Sequence, residues 1–338
     1  MRVSVVVINW NRLALLQTCL ASLRACGEPL ELIVVDNGST DGSIEFLKSQ
    51  ADVVLVANER NEGYAPANNR GMALARGDYV LLLNNDTRVT RGFLDPMLAL
   101  MEADATIGGC QAKMLTYGEP PRIDAYGSYL TWSGFLYHRL YGKPDPPPEP
   151  AFEIFAAKGA AFLIRRSVLL AVGGFDPDFF AYMEDSDLSW RIWLHGSRLL
   201  CVPESIVFHM GAATASSLPT EFITFHSFKN RIAMLLMNLS GPAMLRMLPP
   251  HLLINLALIP VFLLRADGAH ARGLARAMAW NVRHLSVTLR KRRHVQRQLR
   301  RVPDRLLLPR ILRRVRPSFY YYMLTGLERY RDDPPAGV

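Results

Sequence analysis

A polar cluster follows directly after a short apolar run in the stretch GDYVLLLNNDT, residues 77–87. The cluster contains Asn84, Asn85 and Asp86, and amide and carboxylate oxygens suit charged ligands and hard metal ions. The apolar run is too short for a typical helix and predicts a buried parallel strand. Because ligands bind beyond the carboxyl ends of strands in open α/β sheets, the position predicts a binding site. An ordinary Asn/Asp turn is the alternative for this stretch alone.

Three carboxylates, Glu184, Asp185 and Asp187, lie at the predicted start of a helix that ends near Gly196. A reaction in which a hydroxyl attacks needs a base within hydrogen-bond reach, and a carboxylate is a suitable base. A structural role is the alternative, because the helix dipole stabilises carboxylates in a first turn and Asp187 can pair with Arg191.

His209 follows a short apolar run, residues 206–208, later in the chain. A lone histidine beside a strand is usually structural, and composition alone does not assign it a ligand.

The elements that would position these residues follow an α/β pattern. Strand-like runs separated by helical segments occur at residues 3–8, 32–35, 53–56 and 79–83. This alternation predicts βαβ units and a mostly parallel, Rossmann-like sheet flanked by helices.

Polar residues end all four predicted strands, at Asn9 and Asn11, at Asp36, at Asn61 and Gly63, and at Asn84 to Asp86. Their convergence at one edge of the sheet predicts a nucleotide site, although βα loops are polar in any case. Neither G-x-G-x-x-G after the first strand nor G-x-x-x-x-G-K-[ST] occurs, so another group must hold the phosphates. A divalent cation beside Asp86 is a plausible substitute.

The formal charge of +9 is divided unevenly along the chain. Residues 265–316 contain 16 Lys and Arg against two Asp, a local charge of +14, which leaves −5 for the rest. The preceding apolar run, residues 252–264, is shorter than the roughly 20 residues needed to cross a bilayer. We expect an interfacial or re-entrant segment followed by a basic amphipathic region on an anionic membrane surface. Nucleic-acid binding is the less favoured alternative.

Seven motifs occur in the order and spacing of the family 2 glycosyltransferases, which have the GT-A fold. They are VSVVVINWNR (3–12), VVDNGSTDGS (34–43), NEGYAPANNRG (61–71), GDYVLLLNNDT (77–87), KGAAFLIRRSVL (158–169), GGFDPDFFAYMEDSDLSWR (173–191) and VFHMG (207–211). The chain resembles this family over roughly residues 1–235, and most closely its rhamnosyltransferase-like branch, which builds bacterial cell-surface polysaccharides.

For the donor, the resemblance implies that Asp36 contacts the base or ribose of the nucleotide. It also implies that the loop with Asn61, Gly63 and Tyr64 lies close to the nucleotide sugar. The remaining donor-binding candidates end the first and fourth strands: Asn9, Asn11, Asn84 and Asn85.

For the metal, the resemblance implies a divalent cation, Mg²⁺ or Mn²⁺, held by Asp86 and His209. Asp86 matches the last residue of the family's D-x-D element, but Asn84 stands where the first Asp often is. Because a single carboxylate would hold the cation weakly, we expect metal and donor diphosphate to bind together.

For the acceptor, the resemblance implies that Asp185 is the catalytic base and that Glu184 supports it or substitutes for it. Gly159, Trp190 and Arg231 are acceptor-side candidates. Arg231 could reach an acceptor pyrophosphate, and the alternative is that it lies on a solvated helix face.

The predicted architecture has a GT-A domain at 1–235, with an insertion at 115–156 over the active site, and a basic helical region at 236–338. The predicted activity is an inverting, metal-dependent transfer of a sugar to a hydroxyl of a glycan or polyprenyl-linked acceptor. The resemblance favours dTDP-rhamnose as the donor.

The predicted location is the cytoplasmic face of the plasma membrane. The four cysteines lack metal or disulfide-framework spacing, and the first apolar run is too short for a secretion signal. Two alternatives are a sugar-1-phosphate nucleotidyltransferase and a catalytically silent, membrane-bound subunit that binds nucleotide sugars.

Overall fold

The computed structural model describes residues 2–211, 218–325 and 327–330. Its strands are β1 Val3–Asn9, β2 Leu30–Asp36, β3 Val53–Ala57, β4 Tyr79–Asn84, β5 Thr87–Val89, β6 Ile107–Thr116, β7 Ile123–Ala125, β8 Ser128–Leu130, β9 Leu136–His138, β10 Phe152–Glu153, β11 Ala161–Arg165 and β12 Arg198–His209. Its α-helices are α1 Leu13–Arg24, α2 Ser43–Lys48, α3 Tyr64–Leu74, α4 Asp95–Ala103, α5 Arg166–Val172, α6 Glu184–His195, α7 Thr220–Asn238, α8 Gly241–Leu264, α9 Gly268–Arg283, α10 Leu285–His294, α11 Asp304–Ile311 and α12 Ser318–Thr325.

The main sheet has the order β10-β12-β6-β11-β4-β1-β2-β3, with β5 beside β12 and β7 beside β6. Strands β4, β1, β2 and β3 are parallel, whereas β11 runs antiparallel between β4 and β6. The predicted α/β fold is therefore confirmed, but its sheet is mixed: β6 and β12 form a second parallel pair, and β5, β7 and β10 pair antiparallel with their neighbours.

Both faces of the sheet are covered, which explains why its strands read as continuous apolar runs. Val5 and Val7 of β1 pack into one apolar layer with α1 and α4. Val6 and Ile8 point to the other face and pack with α3, α5 and α6. The carboxyl ends of the parallel strands form the polar edge of the sheet, between the two helical layers.

The C-terminal helices are packed on the sheet and its flanking helices, and the predicted boundary at residue 235 falls inside α7. Met247 of α8 and Ile311 of α11 belong to the same apolar cluster as Val6 of β1. The described part of the predicted region 236–338 therefore shares a core with the sheet. Residues 326 and 331–338 lie outside the described residues.

The length predicted for the apolar segment is wrong. Helix α8 has 24 residues, a mean hydropathy of 1.9 in its most apolar window, and enough length to cross a bilayer by that criterion alone. It begins earlier than expected because the Ser240 side chain caps it by accepting from the Ala243 N–H. His251 and Asn255 are fully buried on its inner face, so this side of the helix packs against protein.

The segment 115–156 contains β7 to β10 and forms one wall of the cavity described below. Phe135 and Tyr137 of this segment are buried in an apolar cluster with Phe319 and Tyr330 from the end of the described chain. The insertion and the C-terminal residues are thus joined by aromatic packing.

Candidate active site

A cavity of about 790 Å³ opens at the carboxyl ends of β1 and β4, beside the start of α6. Most of the predicted site residues line it: Asn61, Gly63, Tyr64, Asn84, Asn85, Asp86, Gly159, Glu184, Asp185, His209 and Arg231. They come from segments as far apart as β4 and α7, so the fold brings distant motifs to one place.

Asn9 and Asp36 do not line the cavity but lie fully buried beneath its donor side. The Asn9 amide donates to Asp36 Oδ2 at 2.8 Å, and the Ser39 N–H donates to Asp36 Oδ1 at 2.8 Å. Asn85 in turn donates to Asn9 Oδ1 at 2.7 Å. In this arrangement Asp36 joins the ends of β1 and β2 through hydrogen bonds, and its contact with a donor stays a prediction.

Asn11 is also absent from the cavity wall. Its side-chain oxygen accepts the Thr40 N–H at 2.9 Å and its own N–H donates to Ser39 Oγ at 2.7 Å, which ties the loop after β1 to the loop after β2. Asn11 therefore joins two loops, and its role in donor binding stays a prediction.

Trp190 lies in the core and not on the acceptor side. It is fully buried, and its ring packs edge-to-face on Phe155 with centroids 5.2 Å apart. Since it faces inward from α6, it packs this helix onto the core and does not line the cavity.

Asn37 is a donor-side residue that the motif analysis did not select. Its amide nitrogen donates to Asn61 Oδ1 at 2.9 Å and to the Gly63 carbonyl at 3.2 Å, while its oxygen accepts from Asn58 at 3.0 Å. It lines the cavity and fixes the loop before α3. Its position directly after Asp36 at the end of β2 was the available signal.

Tyr64 connects the end of β4 with Gly159. Its hydroxyl lies 3.0 Å from Asn84 Oδ1 and 3.1 Å from the Gly159 carbonyl oxygen, and burial raises its pKa well above 10.0. A Cβ atom at position 159 would lie 3.0 Å from that hydroxyl, so the close approach favours glycine there.

Asp86 and His209 meet at the metal edge predicted for the cavity. His209 Nε2 lies 3.2 Å from Asp86 Oδ1, and His209 Nδ1 lies 2.8 Å from Asp124 Oδ2. Burial alone would lower the pKa of His209, but the hydrogen bond to Asp124 and the nearby Asp86 carboxylate outweigh it and raise the pKa.

These residues fit a divalent cation. Asp86 Oδ1 is buried and has no hydrogen-bond partner among the residues that the structure describes, although an imidazole nitrogen lies beside it. A carboxylate oxygen and a histidine nitrogen are ordinary ligands of Mn²⁺-like ions. Within the described ranges no group of three or more His, Cys, Asp or Glu side chains is arranged to hold a metal. Further ligands would have to come from a bound substrate or water.

Asp185 and Glu184 share the first turn of α6 but differ in their partners. Asp185 Oδ2 accepts the Gly159 N–H at 3.1 Å, and its Oδ1 accepts the Ser186 N–H at 2.6 Å. Glu184 Oε2 is buried without a hydrogen-bond partner in the described chain. Burial, and then the charge of Asp185, raises the pKa of Glu184 well above 4.5. Burial also raises the pKa of Asp185 above 3.8, against its hydrogen bonds.

The turn that leads into these carboxylates is strained and is held by α7. Tyr182 and Met183 both have φ of 69°, a left-handed conformation that non-glycine residues rarely adopt. The fully buried Asn230 amide donates to the carbonyls of Ala181, at 2.9 Å, and Tyr182, at 2.7 Å. No sequence signal pointed to this contact, because α7 is distant from α6 along the chain.

Arg231, the next residue of α7, faces the cavity. Its guanidinium lies over the rings of Phe135 and Phe228, 5.0 and 5.2 Å from their centroids. Its Nε has no hydrogen-bond partner among the described residues, and burial lowers its pKa to about 10. A cation in this environment favours an anionic ligand.

The model of glycosyl transferase family 2 matches residues 4–173, half of the chain, and the chain belongs to this family. It is 31% identical over 213 residues to the pre-mycofactocin glycosyltransferase of Mycobacterium tuberculosis, covering 61% of this chain and 42% of that relative. It is 25% identical over 249 residues to the N-acetylglucosaminyl-diphospho-decaprenol L-rhamnosyltransferase of the same species, covering 66% of this chain and 80% of that relative. The chain thus spans less than half the length of the first of these proteins.

The fold is similar to that of a mannosyltransferase from Pyrobaculum calidifontis solved with GDP-Man and Mn²⁺. The TM-score is 0.54 at 19% identity, over 87% of this chain and 85% of that one. This similarity supports the GT-A fold class predicted above.

Proposed function

We propose that the protein is an inverting glycosyltransferase that moves a sugar from a nucleoside-diphosphate donor to a hydroxyl of a glycan or lipid-linked glycan. The proposed process is the synthesis of a cell-surface polysaccharide. The observation that carries the proposal is the meeting of Asp86, His209 and Asp185 in one cavity at the carboxyl edge of the sheet. Membership of glycosyl transferase family 2 supports the reaction class.

Asp86 and His209 would hold a divalent cation, Mg²⁺ or Mn²⁺, which supplies Lewis-acid stabilisation of the departing diphosphate. Asn61, Gly63 and Tyr64 form the wall beside the donor sugar, and Asn37 keeps that loop in place. Lys158 lines the same cavity, and its ammonium pairs with Asp124 at 2.7 Å.

Asp185 would take the proton from the acceptor hydroxyl as that oxygen attacks the anomeric carbon. The Gly159 N–H and Ser186 N–H fix the orientation of the Asp185 carboxylate. The raised pKa of Glu184 favours its protonated form, which limits repulsion between the adjacent carboxyl groups. One displacement with the base on the face opposite the leaving group inverts the anomeric configuration.

Two features support an anionic, lipid-linked acceptor. The M. tuberculosis rhamnosyltransferase named above transfers L-rhamnose to N-acetylglucosaminyl-diphospho-decaprenol, as its name states. By that similarity, dTDP-rhamnose is our proposed donor. The half-buried Arg231 cation offers a partner for an acceptor phosphate on the α7 side of the cavity.

The protein would act as a peripheral enzyme at the inner face of the plasma membrane. Exposed leucines project from α8, with Leu253 at 66%, Leu256 at 51% and Leu264 at 88% exposure. Exposed arginines, including Arg283 and Arg290, follow on α9 and α10. Apolar side chains beside a basic surface suit an anionic bilayer, and this favours a membrane over nucleic acid.

The test is incubation with a panel of nucleotide sugars, with and without Mn²⁺, while release of nucleoside diphosphate is measured. We expect metal-dependent release from at least one donor and its loss in Asp86→Ala. Metal-dependent release that persists unchanged in Asp86→Ala would refute the metal assignment. Pyrophosphate release from a nucleoside triphosphate and a sugar 1-phosphate would instead indicate a nucleotidyltransferase. Binding of nucleotide sugars with no turnover of any acceptor would indicate a silent subunit.

A further inference from the structure

We propose that Asp124, on β7 of the insertion, is a positioning residue that orients the imidazole of His209 toward Asp86. The inference deepens the function proposed above and rests on the metal role of His209. Asp124 itself does not contact the cation in this scheme, because His209 lies between it and Asp86.

The contacts around Asp124 are short and buried. Its Oδ2 accepts from His209 Nδ1 at 2.8 Å and from the Lys158 ammonium at 2.7 Å, and the residue is 8% exposed. On the opposite side of the ring, His209 Nε2 lies 3.2 Å from Asp86 Oδ1. The three side chains therefore form a line in which the imidazole has a carboxylate at each nitrogen.

This line determines which nitrogen is available to a cation. A neutral imidazole carries one N–H, and the Asp124 carboxylate accepts that hydrogen at Nδ1. The lone pair of Nε2 then faces Asp86, whose Oδ1 has no hydrogen-bond partner among the described residues. Without Asp124, the N–H could equally reside on Nε2, where it would donate to Asp86 and block the position of the cation. Carboxylates that hold ligating histidines in this way raise metal affinity in proteins.

The surrounding backbone keeps Asp124 in place. Its neighbours on β7 pair with β6, with Ala125 opposite Met114 and Ile123 opposite Leu115. Gly211, two residues after His209, has φ of +63°, and a Cβ there would lie 3.3 Å from Asp124 Oδ1. A side chain at position 211 would thus press on the Asp124 carboxylate as well as strain the backbone.

Lys158 extends the arrangement from the metal edge to the catalytic base. Its side chain contacts Asp124, and the next N–H in the chain, from Gly159, donates to Asp185 Oδ2 at 3.1 Å. Asp124 of the insertion thus contacts both His209, the proposed metal ligand, and Lys158. The neighbour of Lys158, Gly159, orients the Asp185 carboxylate.

The experiment measures the dissociation constant of Mn²⁺ in the presence of dTDP or UDP, from the electron paramagnetic resonance signal of free Mn²⁺. We expect Asp124→Ala to raise this constant roughly 10- to 100-fold. Asp124→Asn should have a smaller effect, since its amide oxygen can still accept the Nδ1 hydrogen. Asp145→Asn is the matched control: it breaks an ion pair of the same kind, with Lys113 at 2.9 Å, in the same insertion but outside the cavity wall.

Wild-type Mn²⁺ affinity in both Asp124 variants, together with weakened binding in His209→Ala, would overturn the positioning role. An equal loss in Asp145→Asn would also overturn it, because the effect would then reflect the stability of the insertion. Wild-type affinity in His209→Ala would be a different failure, namely of the proposed metal site itself. Thermal unfolding of each variant, and nucleotide binding without metal, show whether the fold is intact.

Discussion

Asn230→Ala should slow glycosyl transfer although Asn230 does not contact the substrate in the proposed mechanism. The Asn230 amide holds the turn before Glu184 and Asp185 by donating to the Ala181 and Tyr182 carbonyls. The Tyr182 and Met183 backbones are left-handed, so this turn persists only while its surroundings hold it. Without the amide, we expect the turn to relax and to move the Asp185 carboxylate out of register with the acceptor.

The size of the effect follows from the two hydrogen bonds. Each contributes about 1 kcal/mol net, so their loss removes about 2 kcal/mol from the strained conformation. The left-handed residues cost on the order of 1–3 kcal/mol each, which favours relaxation once the amide is gone. A change of about 2 kcal/mol corresponds to roughly a 30-fold lower population of the productive turn. We therefore expect kcat to fall by about that factor, with a smaller change in Mn²⁺-dependent nucleotide binding.

The assay is steady-state transfer with the active donor, and Asn281→Ala is the matched control. Asn281 is a buried amide that also donates to two backbone carbonyls, those of Lys229 and Ala277, but it does not line the cavity. Glycine adopts a positive φ without strain, so Asn230→Ala should cost less in a Tyr182→Gly background. A kcat within twofold of wild type for Asn230→Ala, or an equal cost in both backgrounds, would refute the strained-turn explanation.

Three further predictions concern charge and surface. Burial, and then the charge of Asp185, raises the pKa of Glu184 above 4.5, so the fold favours the neutral carboxyl group. The free energy of unfolding that this preference contributes is lost as pH rises through the raised pKa. At pH values above the raised pKa, Glu184→Gln should therefore unfold at a higher temperature than wild type. A difference in Tm that does not change with pH would contradict this. Arg231→Gln should lower kcat/KM at least tenfold for a diphosphate-linked acceptor but not for a phosphate-free one, and equal losses for both would argue against an anion site. The double variant Leu256→Gln/Leu264→Gln should float less with anionic liposomes than wild type. The control Leu170→Gln, which alters an exposed leucine of α5, should float as well as wild type. Unchanged flotation of the double variant would place the membrane contact elsewhere.

The motifs predicted the sheet and much of the cavity because their signals are local. An apolar run that ends in Asn84 to Asp86 reveals both a strand and its polar end, and parallel packing then places that end beside the end of β1. Glu184 and Asp185 were recognisable because the first turn of a helix gives carboxylates a defined position. In each case one short segment contains both the element and its functional side chain.

The burial of individual side chains and the contacts between distant segments could not be predicted from short motifs. Trp190 was an acceptor-side candidate from its motif, yet the helix turns it into the core. The contact between Asp124 on β7 and His209 on β12 could not be predicted, because the two residues are distant along the chain. The length of α8 was underestimated because His251 interrupts the apolar pattern, although its Nδ1 lies 2.7 Å from the Ser133 carbonyl inside the fold.

The most direct test of the proposed mechanism is Asp185→Asn assayed for both binding and transfer. The substitution keeps the shape of the side chain and removes the carboxylate that would accept the acceptor proton. We predict that Mn²⁺-dependent binding of the donor nucleotide stays within a few-fold of wild type while transfer falls at least a thousandfold, at the scale of lost general-base catalysis, about 10²–10⁴. Near-normal turnover by Asp185→Asn would contradict the assignment of Asp185 as the catalytic base.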